Sequence, residues 1–250
     1  MELWGLSTCI GTLLAAMSNS GKLRIGILGI QGAFQEHKVA LLKAHEAAKC
    51  DDLSNWTLDI VDVRSRGDVT DDLDGLILPG GESTTMSLFL KREGLDTVLR
   101  EWMAKRRRVT WGTCAGMILL AENIEHQKEG GQSQLGGLHV TVSRNYFGRQ
   151  VDSFEADVTV SSNTLTGSCE DDETCRGVFI RAPAVISVDD PRVKVIGSLT
   201  FTDRQQSVRS VIVAVQEENI LATAFHPELT DDTRWHRHFL EMVKQNKTSI

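Results

Sequence analysis

The sequence predicts a three-layer α/β domain built on a mostly parallel central sheet, with an antiparallel excursion in its second half. Three observations predict it. From Lys22 onward, short apolar runs alternate with amphipathic stretches, the pattern of βα units around a parallel sheet. Between residues 138 and 201 the apolar runs are separated by turns with no clear helix, which suits antiparallel strands. The chain has 250 residues, 41% hydrophobic and 24% charged, which is the composition of one globular domain. A chain of that length buries a core without help from metals or disulfides.

Residues 1–22 are read as a leader or extension outside the fold, and residues 23–250 as a single domain. The apolar stretch 3–17 hints at a signal peptide, but Glu2 is the only nearby charge and the basic n-region is missing. The stretch is also shorter than the roughly 20 apolar residues that span a bilayer. Residues 23–28 form the first buried strand and 35–48 the helix after it. Strands come next at 58–63 and 75–78, then helices at 85–92 and 95–105, broken at Gly94. A short strand at 108–111 leads through a tight turn into a helix at 115–122. The second half reads as β-like segments at 138–142, 153–160, 178–180 and 193–201. Paired strands at 210–216 and 220–224 and a helix over 232–246 complete the chain.

Counting excludes several classes. Twenty-seven basic against 34 acidic side chains give a net charge of −7, the reverse of a nucleic-acid footprint. Five cysteines (Cys9, Cys50, Cys114, Cys169 and Cys175) are scattered and odd in number, unlike a secreted disulfide framework. No C-x-x-C pair exists, so no zinc ribbon or thioredoxin motif is expected. Cys169 and Cys175 flank the acidic stretch 170–173; they either bridge a loop or stay reduced, as a cytoplasmic location favours. The glycines at 26, 29 and 32 are spaced G-x-x-G-x-x-G, without the G-x-G that approaches a pyrophosphate. A tight turn is the simpler use, and nucleotide binding is not expected. The run Lys105–Arg108 invites a nuclear signal or an anion site, but cations closing a helix explain it more simply.

Chemistry concentrates at Trp111-Gly112-Thr113-Cys114-Ala115-Gly116, where a strand enters and an apolar helix leaves. This is the nucleophile elbow of α/β hydrolases with cysteine in place of serine. Flanking glycines relieve the cramped turn, and the helix amino-terminus behind the sulfur favours a thiolate. A buried, inert cysteine is the alternative. The candidate base is His226, directly after the strand at 220–224 and so on the same rim of the sheet. Glu228, two residues on, is placed to fix its tautomer, with Pro227 stiffening the backbone between them. A third strand end, Leu78-Pro79-Gly80-Gly81-Glu82-Ser83-Thr84-Thr85, offers backbone N–H groups to a developing oxyanion. Ser83 or Thr84 also suits a helix cap. A nucleophile, a base, an orienting carboxylate and an oxyanion loop together predict acyl transfer through a thioester.

These residues resemble a known family: the glutaminase subunits of pyridoxal 5′-phosphate synthase, which are class I (triad) glutamine amidotransferases. The likeness runs from about Leu23 to Val243. It is carried by Gly-Ile-Gln-Gly-Ala with Glu36-His37, Leu-Pro-Gly-Gly-Glu-Ser-Thr-Thr, Gly-Thr-Cys-Ala-Gly, the block from Arg144 to Glu155, Phe-Ile-Arg-Ala-Pro at 179–183, and Phe-His-Pro-Glu-Leu. The elbow and His-x-Glu mark only the broader superfamily. The block at 144–155 and Gly-Gly-Glu-Ser-Thr-Thr are more specific.

The resemblance implies a flavodoxin-like class I amidotransferase topology, with Cys114 as nucleophile, His226 as general base and acid, and Glu228 as orienter. It implies that Gly81, Glu82, Ser83, Arg144, Ile180 and Arg181 contact L-glutamine, and that Gly81 and Ala115 hold the oxyanion. Arg144 or Arg181 suits the substrate carboxylate by forked hydrogen bonding. Glu82 either meets the ammonium or serves its own loop. It also implies a partner, a (β/α)-barrel synthase subunit in a large hetero-oligomer, which receives the ammonia for vitamin B6 synthesis. The segment Gln31–His37 and the Gly80–Gly81 loop are the places where coupling to that partner is expected. No nucleic acid, membrane, metal or organic cofactor is implied. Residues 1–22, 49–56 and 168–176 look additional to the family pattern. Three rival readings are a class I subunit feeding another synthase, an oxidisable-thiol protein that needs neither His226 nor Glu228, and an inactive scaffold subunit, which the presence of every expected catalytic residue disfavours.

Overall fold

The computed structural model describes residues 20–48, 52–125, 134–148, 153–161, 164–165, 173–202 and 207–249. The chain order begins β1 (Gly21–Leu28), α1 (Phe34–Ala47), β2 (Trp56–Val63), β3 (Gly75–Leu78), α2 (Ser83–Arg92), α3 (Leu95–Met103) and β4 (Val109–Thr113). It continues through α4 (Ala115–Leu120), β5 (Ala121–Ile124), β6 (Leu138–Ser143), β7 (Ser153–Val160), β8 (Thr174–Ile180) and β9 (Ala184–Val188). It closes with β10 (Lys194–Thr202), β11 (Val208–Glu217), β12 (Ile220–Thr223) and α5 (Arg234–Thr248).

The strands join in the order β2-β1-β3-β4-β12-β11-β10-β7-β8, with β9 pairing both β11 and β6, and β6 pairing β5. The run β2-β1-β3-β4-β12 is parallel throughout. The strands from β12 to β8 are antiparallel, which is the expected excursion of the second half. All residues of β3 and β4 are buried, as strands covered on both faces must be.

The alternation along β4 shows the layers. Trp111 packs on Phe239 of α5 and Thr113 meets His37 of α1, whereas a side chain at Gly112 would strike α4 at Gly116 and Leu120. Successive strand residues point to opposite faces, so α1 and α5 cover one face and α4 the other. Helices α2 and α3 pack with α4's side of the sheet. In α1 the buried positions are His37, Ala40, Leu41 and Ala44, an i, i+3, i+4, i+7 stripe facing the sheet. Helix α5 buries Trp235, His236, Phe239, Leu240, Met242 and Val243 in the same manner. Each of these two stripes therefore carries a histidine in its first turn.

Several expectations need correction. The helix expected over 115–122 stops at Leu120 and the chain becomes strand β5, because Ala121–Ile124 pairs in parallel with β6. Strand β9 is absent from the sequence-based expectation; only Ala184 and Val185 of it are buried, too short an apolar run to read as a strand. The strand expected at 178–180 extends back to Thr174, where Cys175 and Gly177 alternate with exposed residues. The cation run 105–108 lies beyond α3 rather than closing it. Lys105 pairs with Asp71, and the Arg108 guanidinium donates to the carbonyls of Leu73 and Asp71 while covering Trp102. Residues 1–19, 49–51 and 166–172 lie outside the described residues, and with them Cys9, Cys50, Cys169 and parts of the three additional segments. Gly21 and Lys22 already belong to β1. Cys175 is a free, buried thiol that accepts from Trp235 Nε1 at 3.2 Å, and burial first among its causes pushes its pKa up to about 11. No helix among the described residues is long and apolar enough to cross a membrane.

Candidate active site

Strands β4 and β12 lie side by side and parallel, with Thr113 opposite Thr223 at their ends. The residues just beyond the two strands therefore arrive on one rim: Cys114 after β4, and His226 three residues after β12. Cys114 holds φ 48° and ψ −102°, a conformation that non-glycine residues seldom adopt. Its N–H donates to Thr223 O at 2.8 Å, and Ile118 N–H donates to its carbonyl at 3.3 Å. These bonds hold the bend from both sides. The flanking glycines are required by approach rather than by φ: a Cβ on Gly112 would lie 2.5 Å from Gly116 C, and one on Gly116 2.0 Å from Leu78 O. The turn is as crowded as its sequence suggests.

The Cys114 thiol lies 3.8 Å from Ile180 O, and His226 is its nearby imidazole. His226 is anchored through its own N–H, which donates to Val178 O at 2.8 Å, and Pro227 opens a single 3-10 turn, Pro227–Leu229. On the far side of the ring, Nδ1 lies 2.7 Å from Glu228 Oε1, with both side chains buried. A thiol, an imidazole and a carboxylate thus stand in series. Burial acts to lower the His226 pKa, but hydrogen bonding and charge from Cys114 and Glu228 outweigh it and raise it to about 10. Burial acts to raise the Glu228 carboxyl, yet the imidazoles of His37 and His226 bring it below its ordinary value. The imidazolium–carboxylate pair is the stable form at neutral pH.

A cavity of about 440 Å³ opens over the thiol, lined by Cys114 and His226 together with Gly81, Glu82, Ser83, Arg144, Ile180 and Arg181. All six residues expected around glutamine face it. Ala115, next to the nucleophile, starts α4 and is not among the lining residues. A Cβ on Gly80 would fall 2.2 Å from His226 Cε1, so the glycine lets the loop close against the imidazole.

Glu82 serves its own loop. It is the N-cap of α2: Oε1 accepts from Thr84 N at 3.0 Å, and Oε2 accepts from Thr85 N and Thr85 Oγ1, each at 2.7 Å. Burial works against the charged form, but these hydrogen bonds prevail and bring its pKa down to about 2. The cap expected at Ser83 or Thr84 is thus one residue or more too late, because a carboxylate reaches two amides at once. Arg144 donates from Nη1 to Thr84 Oγ1 at 3.3 Å, which ties it to the same loop. Arg181 holds φ 44° at the cavity edge.

Sequence reasoning misses the part that two lining residues play. With its amide nitrogen turned inward, Asn145 donates to the carbonyls of Arg181 (3.3 Å) and Arg144 (3.1 Å) and joins the two arginine segments. Its one signal is its place beside Arg144 in the 144–155 block. Gln31 presents a buried, unpartnered Oε1 and lines the cavity next to Gly81. The sequence suggests it only as part of a segment for coupling to a partner.

Comparison with known proteins bears on this geometry. A family model described as the SNO glutamine amidotransferase family matches residues 27–245. The chain is 43% identical over 241 residues to the probable pyridoxal 5′-phosphate synthase subunit PDX2 of Arabidopsis thaliana, covering 89% of this chain and 87% of that one. It is 40% identical over 234 residues to the probable pyridoxal 5′-phosphate synthase subunit pdx2 of Dictyostelium discoideum, covering 90% and 94%. Among solved structures, one titled as the crystal structure of a glutamine amidotransferase superposes with a TM-score of 0.70 at 36% identity, covering 88% and 98%.

Proposed function

The chain belongs to the SNO glutamine amidotransferase family, and from that premise we propose that it is the glutaminase subunit of a pyridoxal 5′-phosphate synthase. It hydrolyses L-glutamine to glutamate and ammonia through a cysteine thioester and passes the ammonia to a synthase subunit. One observation carries the chemical part: Cys114 and the His226–Glu228 pair converge from adjacent parallel strands on one cavity.

The reaction derives from the charges. The Cys114 thiolate, paired with imidazolium His226, attacks the side-chain carboxamide carbon of glutamine. Backbone N–H groups of Gly81 and Ala115 receive the oxyanion of the tetrahedral intermediate. As the C–N bond breaks, His226 donates its proton to the departing nitrogen, and ammonia leaves. The neutral imidazole then takes a proton from water, whose oxygen attacks the γ-glutamyl thioester. Collapse releases glutamate and restores the thiolate beside imidazolium His226. Throughout, the Glu228 carboxylate holds Nδ1–H and fixes which ring nitrogen faces the sulfur.

Substrate specificity falls to the cavity rim. Arg144 and Arg181 supply the guanidinium for the α-carboxylate, with Asn145 holding their backbones together. Ser83 and the Ile180 backbone contact the rest of the amino acid. The Glu82 oxygens are engaged by α2, so its share in binding is to shape the loop that carries Gly81. The partner is a (β/α)-barrel synthase subunit, assembled with this chain into a hetero-oligomer in the cytoplasm.

Glutamate release should be measured with and without such a synthase subunit. Hydrolysis stimulated by the synthase, and lost in Cys114→Ser, is the expected result. Hydrolysis stimulated only by an unrelated ammonia-accepting synthase would assign the chain to another pathway.

A further inference from the structure

Two histidines that the reaction does not use lie directly behind Glu228. His37 and His236 are wholly buried, one in the first turn of α1 and the other in the first turn of α5. His37 Nδ1 is 3.0 Å from His236 Nε2. His37 Nε2 is 3.2 Å from Thr113 Oγ1 and 3.4 Å from Glu228 Oε2. That carboxylate oxygen is buried without a hydrogen-bond partner, as is His236 Nδ1. The series His226, Glu228, His37, His236 is continuous, and it draws on α1, α5 and the loop after β12.

Counting protons selects one arrangement. Burial, its largest cause, keeps the His37 pKa below its ordinary value, and burial again, with His37 beside it, keeps that of His236 well below. Both rings are therefore neutral at pH 7, each with a single N–H. If His37 carried its proton on Nδ1, its Nε2 would accept from Thr113 Oγ1 with its lone pair beside the Glu228 carboxylate, and His236 would bury an unpaired Nδ1–H. With the proton on Nε2 of both rings, His236 donates to His37 Nδ1 and His37 donates to Thr113 Oγ1, its N–H edge 3.4 Å from Glu228 Oε2. Only an acceptor lone pair on His236 Nδ1 then stays unused, which costs less than a buried donor or a repulsive pair. The other charged groups around His37 are His226 in the site and Glu36 on its own helix.

Resting on the reading of Glu228 as the orienter of His226, we propose that His37 is a positioning residue for the reaction. Together with His236 it forms a proton-ordered relay that sets a neutral imidazole N–H 3.4 Å behind the Glu228 carboxylate. A lysine or arginine in that place would neutralise the carboxylate and weaken its hold on His226. Neutral imidazoles fix the carboxylate and leave its charge to the catalytic ring.

The relay is tested by NMR on the intact chain with labelled histidine, beside steady-state glutamine hydrolysis with the synthase present. In the unaltered protein, ring nitrogen shifts should place the proton on Nε2 of both His37 and His236, with both rings neutral at pH 7. His226 should titrate near its raised value of about 10. In His37→Leu that midpoint should fall by about one unit or more, each unit being tenfold in proton affinity. The alkaline limb of kcat should move with it while KM stays unchanged. His37→Gln, whose Nε2 donor can replace the lost one, should restore both. An unmoved His226 midpoint in folded His37→Leu overturns the proposal. So does a proton on Nδ1 of either ring in the unaltered protein, a result that needs no variant to fold. Absence of hydrolysis in the unaltered protein would count against the functional reading alone, since the ring shifts are read without substrate.

Discussion

Cys114 sits in a backbone conformation that costs free energy on the order of 1–3 kcal/mol and is held there by bonds to Thr223 and Ile118. Its partner His226 carries a pKa raised from 6.5 to about 10, which gives two expectations. In stability, the contribution of the folded imidazolium is whole below about pH 6.5 and is lost as the pH rises through about 10. Urea midpoints from pH 6 to 10.5 should therefore fall less in His226→Gln than in the unaltered chain. In activity, Glu228→Gln removes the carboxylate that holds Nδ1–H. The kcat should drop about 10²–10⁴-fold and the alkaline limb should move to lower pH. Equal alkaline limbs in both proteins would show that Glu228 does not set the His226 charge. Cys114, His226 and Glu228 are legible in short motifs because each lies close to a strand-end signal. His236 is not: its partner His37 is 199 positions away, and a histidine in an apolar stripe carries no local mark.

Among the elements, α2 shows that a residue expected at the site also has a structural role. Glu82 begins the helix with both oxygens, so Glu82→Ala should cost about 1 kcal/mol of stability, read as a lower urea midpoint. The loop before it is set by Gly80 against His226. Gly80→Ala should leave the far-ultraviolet dichroism unchanged while reducing kcat about tenfold or more, since a displaced imidazole misaligns with the sulfur. Full activity in Gly80→Ala would mean that the loop moves away from His226 in solution. Strands β3 and β4 are readable because each is a short, wholly buried run next to a glycine turn that leads into a helix. Strands β5 and β9 are not. Their pairing is set by β6 and β11, and a half-exposed strand of four or five residues has too little pattern to stand out.

Over the whole molecule, the site depends on two helices that cross the same face of the sheet. Phe239 of α5 packs on Trp111 of β4, one turn away from His236. Phe239→Ala should destabilise the fold by about 3–5 kcal/mol and loosen the seat of His236 with it. A loss below about 1 kcal/mol would show that α5 is not a fixed wall of the site. The order β4-β12, which brings residues 114 and 226 together, is a long-range fact that composition and periodicity do not contain. Its sources in the sequence are the rule that α/β sheets work at their carboxyl rim and the family resemblance.

Covalent labelling with an electrophilic diazoketone analogue of glutamine tests the central claim most directly, with mass analysis of every cysteine peptide. The expected result is a single adduct on Cys114, formed faster with the synthase subunit, slowed by His226→Ala and absent from Cys114→Ser. An adduct on another cysteine, or labelling of Cys114 that His226→Ala leaves at full rate, would contradict it.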